Sequence, residues 1–166
     1  MAAERERVLI SRSPAATRAL GAALGRRVPP GTLVALDGEL GAGKTCFVQG
    51  LAGGLGVSDP VTSPTYALLQ SYPGRLALHH FDAFMEGRER ALLLDGGLEW
   101  MHAGGVAAVE WAARVEDVLP LPRLAVRLEH AGPELRRLSI GVVGDSAELR
   151  GVVRDLECPA GIEEGV

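Results

Sequence analysis

The chain has 166 residues, 47% of them hydrophobic and 23% charged, with a formal net charge of −4. That is the composition of a folded globular protein rather than of a low-complexity or fibrous chain. Its sixteen arginines are scattered, so no basic stripe marks a surface that binds nucleic acid unaided, and no apolar run approaches the roughly 20 residues of a membrane span.

The N-terminal residues lead into an apolar run of only three, Val8-Leu9-Ile10. That is too short for a secretory signal, so a cytoplasmic protein with no membrane contact is expected. The run reads as a first strand. Ser13-Pro14 has the form of an N-cap followed by proline at the first helical position. Ala16, Leu20, Ala23 and Leu24 give that helix its apolar face, and Val28-Pro29-Pro30-Gly31 ends it. Leu33-Val34-Ala35-Leu36, closing at Asp37, is an apolar run of the kind that forms a buried parallel strand.

Gly38-Glu39-Leu40-Gly41-Ala42-Gly43-Lys44-Thr45 follows. It fits the phosphate-binding pattern G-x-x-x-x-G-K-[ST]. Phe47, Val48, Leu51, Ala52 and Leu55 then share one helix face. Strand, glycine loop and helix together form the context in which the motif works. The glycines let successive N–H groups curl around phosphate, and the helix N-terminus adds partial positive charge. Lys44 is the only lysine in the chain. Its compact ammonium on a flexible stem suits a reach between phosphate oxygens, for which an arginine fork is no equivalent. The Thr45 hydroxyl falls where it can meet Mg²⁺. Cys46 lies in the first helical turn and reads more simply as a packed thiol than a reactive one. With Cys158 it fits no metal spacing and no disulfide framework.

Residues 61–66 form an extended, hydroxyl-rich connector around Pro64. It is either a segment facing the γ-phosphate, through Ser63 and Thr65, or an ordinary loop before a strand at 67–72. The next strand, 76–81, runs into Asp82, with Leu78, His80 and Asp82 on one side. An apolar strand ending in an acid has the form of a Walker B element. The adjacent His79 and His80 point to opposite faces, which disfavours a dedicated transition-metal site. Residues 84–105 are charged and punctuated by glycine, with short helices at 91–94 and 98–103 and a possible partner surface. Residues 106–111 are a second apolar strand ending in an acid, Glu110, followed by Trp111. In a parallel sheet Asp82 and Glu110 share the carboxyl edge with the loop. A helix over 112–119 stops at Pro120 and Pro122. Residues 124–128 and 138–143 read as antiparallel strands joined at Gly132-Pro133. Ser146 caps a last helix with Leu149, Val152, Val153 and Leu156 inward. The expected fold is α/β: a single P-loop NTPase-like domain over 1–157, with a mixed parallel and antiparallel sheet flanked by helices, then a disordered tail at 158–166.

No asparagine occurs in the chain, so the guanine-reading asparagine-lysine-x-aspartate element of GTPases is impossible and ATP is the expected nucleotide. The loop, then Ser63-Pro64-Thr65-Tyr66, His80-Phe81-Asp82, Glu110-Trp111 and Leu119-Pro120, in this order and spacing, resembles the TsaE family of bacterial P-loop ATPases. The resemblance runs from about residue 8 to 143. It implies a slow, Mg²⁺-dependent ATPase that serves threonylcarbamoyladenosine formation in tRNA. The implied partners are the two transferase subunits TsaB and TsaD, with tRNA met only through that complex. By position it implies catalytic roles for Lys44, Asp82 and Glu110. Metal contacts fall to Thr45, Glu110 and Asp82, with Asp82 or Glu110 orienting water. Nucleotide contacts fall to residues 39–46 (Glu39, Leu40, Gly41, Ala42, Gly43, Lys44, Thr45 and Cys46), to Ser63, Thr65 and Trp111, and to Arg136 or Arg137. Two readings outside the family remain beside it: a small-molecule P-loop kinase, and a nucleotide-gated interaction subunit that does not hydrolyse. The chain departs from the family pattern at Cys46, where a second threonine is usual. It departs again at Ala83-Phe84-Met85, where x-tyrosine-arginine is usual, and the acidic stretch that follows is weakly matched at 95–100.

Overall fold

The computed structural model describes residues 6–63, 69–84, 89–94, 99 and 104–166. The expectations placed on Pro64, Thr65, Tyr66, Met85 and most of 95–103 fall outside these residues.

Eight strands form one sheet in the order β3-β4-β5-β2-β6-β7-β1-β8. In chain order the elements are β1 (Arg7–Ser11), α1 (Pro14–Gly25), β2 (Leu33–Gly38), α2 (Lys44–Gly54), β3 (Leu69–Tyr72), β4 (Leu78–Asp82), α3 (Glu89–Leu92) and β5 (Val106–Glu110). A 3₁₀ helix (Ala112–Val118), β6 (Arg123–His130), β7 (Arg136–Val143), α4 (Ala147–Arg154) and β8 (Ile162–Glu164) complete the chain. Strands β4, β5, β2 and β6 are mutually parallel. Antiparallel strands flank them: β3 on one side, and β7, β1 and β8 on the other. This is the mixed sheet that the sequence predicts.

The central strand β2 is buried on both faces, as a continuous apolar run requires. Val34 and Leu36 enter a core with Leu20 of α1, Phe47 of α2 and Leu149 of α4. Leu33 and Ala35 enter a second core on the opposite face with Phe81, Val109 and Val115. Caps start two helices as expected: Ser13 Oγ accepts from Ala16 N, and Ser146 Oγ accepts from Leu149 N. Helices α1 and α2 meet backbone to backbone. A Cβ on Gly50 would lie 1.9 Å from the Arg18 carbonyl oxygen, and one on Gly21 would lie 2.3 Å from that of Phe47.

One expectation is sharpened and one corrected. The helix expected over 112–119 is a 3₁₀ helix at Ala112–Val118 that leaves helical angles at Val115 (φ −128°, ψ 16°). The three-residue turn lines up Ala112, Val115 and Val118 against the second core. Residues 158–166 are not a disordered tail. Ile162–Glu164 pair with β1, Leu9 lying opposite Glu164, and Ile162 is buried. Arg12 N donates to Gly161 O at 3.0 Å and Gly165 N to Val8 O at 2.7 Å. Arg12 bonds Glu163, and Arg7 bonds Glu164. The ordered chain therefore continues past the boundary expected at 157.

Candidate active site

The site is built at the carboxyl edge of the parallel strands. The chain leaves β2 at Gly38, whose φ of 151° and tight approach to the Leu128 carbonyl exclude a side chain. Gly43 then enters α2 in the left-handed region (φ 108°) with no side-chain cap. Both α1 and α4 have a serine cap; α2 begins without one. Its first amides are thus left for an anion, the arrangement that a phosphate loop needs.

Lys44 is buried at 5% exposure. Its Nζ donates to the carbonyl oxygens of Gly38 and of Glu39 and lies 4.0 Å from the centroid of the Trp111 ring. Burial pulls this ammonium below its ordinary value, while Glu110, Asp37 and Asp82 act in the opposite direction. Thr45 Oγ1 donates to Glu110 Oε1 at 2.9 Å. The other carboxylate oxygen, Oε2, meets His80 Nε2 at 2.5 Å.

Asp82 and Glu110 are direct cross-strand neighbours in the β4–β5 register. Both are buried. Asp82 Oδ2 accepts from Ser63 Oγ at 2.8 Å, and Oδ1 accepts from the Phe84 amide at 2.9 Å. The described end of the Ser63 connector is thereby tied to the strand that carries the acid. His79 faces the other way and bonds Ser71 at 2.8 Å.

Trp111 adopts a left-handed conformation (φ 59°), a strained state for an aromatic residue that tends to occur at functional sites. The strain turns the indole over Lys44. Phe84 packs on the indole at 5.1 Å, tilted by 55°. Arg114 stacks on both rings and bonds the Phe84 carbonyl. Phe84, which replaces the usual tyrosine, thus becomes part of an aromatic wall. Behind Trp111, the amide of Ala113 donates to Asp37 Oδ1 at 2.9 Å and anchors the 3₁₀ helix to β2.

A cavity of about 440 Å³ brings together Leu40, Gly41, Gly43, Lys44, Thr45, Cys46, Ser63, Asp82, Glu110 and Trp111. Ala42 is fully buried behind the loop. Glu39 and Arg137 line a neighbouring cavity of about 570 Å³ on the other side of Trp111. Arg136 reaches the loop itself and donates to Gly41 O at 3.4 Å. The thiol of Cys46 donates to Pro14 O at 3.2 Å, and burial raises its pKa, which agrees with a packed role. Sequence reasoning missed Asp37 as an anchor, Arg114 in the aromatic wall and His80 as the partner of Glu110. Asp37 and Arg114 act through three-dimensional neighbours with no local signature, whereas the H-x-D spacing did place His80 on the face of Asp82.

The parallel core, the uncapped glycine loop and the acid-ending strands define the class: a P-loop α/β protein. The family model for "Threonylcarbamoyl adenosine biosynthesis protein TsaE" matches residues 11–138. The tRNA threonylcarbamoyladenosine biosynthesis protein TsaE of Bacillus subtilis (strain 168) is 38% identical over 139 residues, which are 82% of this chain and 86% of that one. The protein of the same name from Treponema pallidum (strain Nichols) is 38% identical over 131 residues, 79% of this chain and 97% of that one. The crystal structure of Bacillus subtilis YdiB superposes with a TM-score of 0.77 at 31% identity, covering 93% of this chain and 98% of that one. The chain belongs to the TsaE family, and its role lies in tRNA threonylcarbamoyladenosine biosynthesis. Among the described residues no helix is long and apolar enough to cross a membrane.

Proposed function

We propose that the chain binds ATP with Mg²⁺ at the loop 38–45 and hydrolyses it slowly. In this reading it is the ATP-driven subunit of threonylcarbamoyladenosine synthesis, working in the cytoplasm with the transferase subunits TsaB and TsaD and meeting tRNA only through them. The observation that carries the reading is the Thr45–Glu110 hydrogen bond at 2.9 Å, beside the only lysine of the chain. It joins the loop hydroxyl to a strand-end carboxylate, the pair from which P-loop proteins build a metal site.

The donor set fits magnesium. Thr45 Oγ1 and the carboxylates of Glu110 and Asp82 are all oxygen ligands, which a hard divalent cation prefers. Each carboxylate oxygen keeps a lone pair beyond the hydrogen bond that it already accepts. When bound, Mg²⁺ would neutralise charge on the phosphate oxygens. The chain supplies the rest. Loop amides at the start of α2 hold phosphate, and Lys44 exchanges the carbonyls of Gly38 and Glu39 for phosphate oxygens. Asp82 or Glu110 orients the attacking water. Ser63, bonded to Asp82, and Thr65 form the connector that senses the terminal phosphate. Trp111 shields Lys44, with residues 39–46 and Arg136 or Arg137 bordering the nucleotide.

Slow turnover is supported by the state of the nearby arginines. Arg136 is held by the carbonyls of Leu135, Gly132 and Gly41, and Arg114 by that of Phe84. Both guanidiniums are engaged by backbone carbonyls, Arg136 partly by that of Gly41 in the loop itself, and a partner that supplies further positive charge is expected to speed the reaction. The test is phosphate release from ATP with and without TsaB, TsaD and tRNA. Slow release alone and a marked rise with the partners support the reading. Label transferred to a small metabolite would point to a kinase instead, and binding without release in any mixture would leave a non-hydrolysing subunit.

A further inference from the structure

His80 is fully buried, yet one of its ring nitrogens, Nδ1, finds no hydrogen-bond partner among the described residues. A buried polar atom without a partner costs stability. On the same sheet face it is flanked by Leu78 on its own strand, by Val106 and Ala108 on β5, and by Gln70 directly opposite on β3. An aliphatic side chain would fill this place at no such cost. What the imidazole provides is its other end, which meets Glu110 Oε2 at 2.5 Å.

The register explains how it reaches. His80 lies opposite Ala108, and Glu110 lies opposite Asp82, two residues further along. The small Ala108 leaves room for the imidazole to lean diagonally across β5 to the carboxylate. The surroundings also assign the proton. Nδ1 has no partner among the described residues, and at the other end an ionised carboxylate can only accept. The proton therefore sits on Nε2 and is donated to Glu110. Both carboxylate oxygens are then held, Oε2 by His80 and Oε1 by Thr45.

We infer that His80 is a positioning residue for Glu110, its Nε2–H fixing the carboxylate so that the Thr45 side of the group is presented to the metal. Residues behind a metal ligand commonly set its orientation and tune affinity in this way. The inference rests on the magnesium reading proposed above.

The test measures binding rather than turnover. A fluorescent ATP analogue is bound to the full chain stripped of metal, and MgCl₂ is titrated in for wild type, His80→Gln, His80→Asn and His80→Leu, with urea unfolding as the check on folding. Gln places an amide N–H near the position of Nε2, whereas Asn cannot reach it. Leu and Asn are expected to raise the half-saturating Mg²⁺ concentration about 10- to 100-fold, with Gln within about three-fold of wild type. Affinity for the analogue without Mg²⁺ stays unchanged in all variants. If Leu does not fold, the Gln and Asn pair decides. Equal Mg²⁺ midpoints in Gln and Asn overturn the inference. Wild-type binding that ignores Mg²⁺ overturns the magnesium reading and the inference with it, a failure visible without any variant.

Discussion

Thr45 Oγ1 donates to Glu110 Oε1 at 2.9 Å across 65 positions of sequence. The bond ties the first turn of α2 to the end of β5, so the loop and the acid hold each other in place. Glu110→Gln preserves the shape and an acceptor but removes the charge. Turnover is expected to fall about 10²- to 10³-fold, as when one group that stabilises the transition state is lost. ATP affinity is expected to change far less. Single-turnover phosphate release set beside equilibrium binding checks this, and equal losses in both would mean that Glu110 acts in binding alone.

Helix α2 carries two glycines with opposite expected behaviour. A Cβ at Gly50 would meet the Arg18 carbonyl at 1.9 Å, whereas one at Gly53 meets nothing within 4 Å. Gly50→Ala is expected to destabilise by about 2 kcal/mol through overpacking, although alanine is the better helix former by about 1 kcal/mol. Gly53→Ala is expected to stabilise by about 0.5 kcal/mol or more. Urea unfolding midpoints compare the two. A stabilising Gly50→Ala would mean that α1 and α2 do not approach this closely.

The C-terminal strand β8 is expected to loosen in acid. The hydrogen bond from Arg7 lowers the pKa of Glu164, and that from Arg12 lowers the pKa of Glu163. A folded value below the unfolded one, about 4.3 for glutamate, stabilises the docked strand above that pH. The contribution is lost as pH falls through the depressed folded values. The Gly165 amide, bonded to Val8 O, is expected to be protected from hydrogen exchange at neutral pH. It should lose that protection as pH falls below about 4.3, before the amides of β7 do, after correction for intrinsic exchange. Unchanged protection across that range would show that the two ion pairs do not hold the strand.

Much of the site was legible because its signals are local. Glycine spacing and the lone Lys44, an apolar run before each acid, and Ser13 and Ser146 at helix starts all follow from one element at a time. The parallel placement of Asp82 beside Glu110 followed once both were strand ends. What escaped depends on contacts between distant segments. β8 is only three residues, Ile162-Glu163-Glu164, and exists because β1 offers it an edge and two arginines. The backbone contact of α1 and α2 left one trace, glycines four apart at 21 and 25 and again at 50 and 54, whose pairing only the fold reveals. The 3₁₀ geometry of 112–118 follows from the left-handed turn at Trp111 and the buried line of Ala112 and Val115. Periodicity over so few residues does not separate it from an α-helix.

Nucleotide binding turns on Lys44 and the loop that carries it. Calorimetric titration of ATP with Mg²⁺ into wild type and into a folded Lys44→Ala variant tests it most directly. One ATP per wild-type chain is expected, with an affinity about 100-fold weaker in the variant, equivalent to about 2.7 kcal/mol. An affinity unchanged by the loss of Lys44 would contradict it.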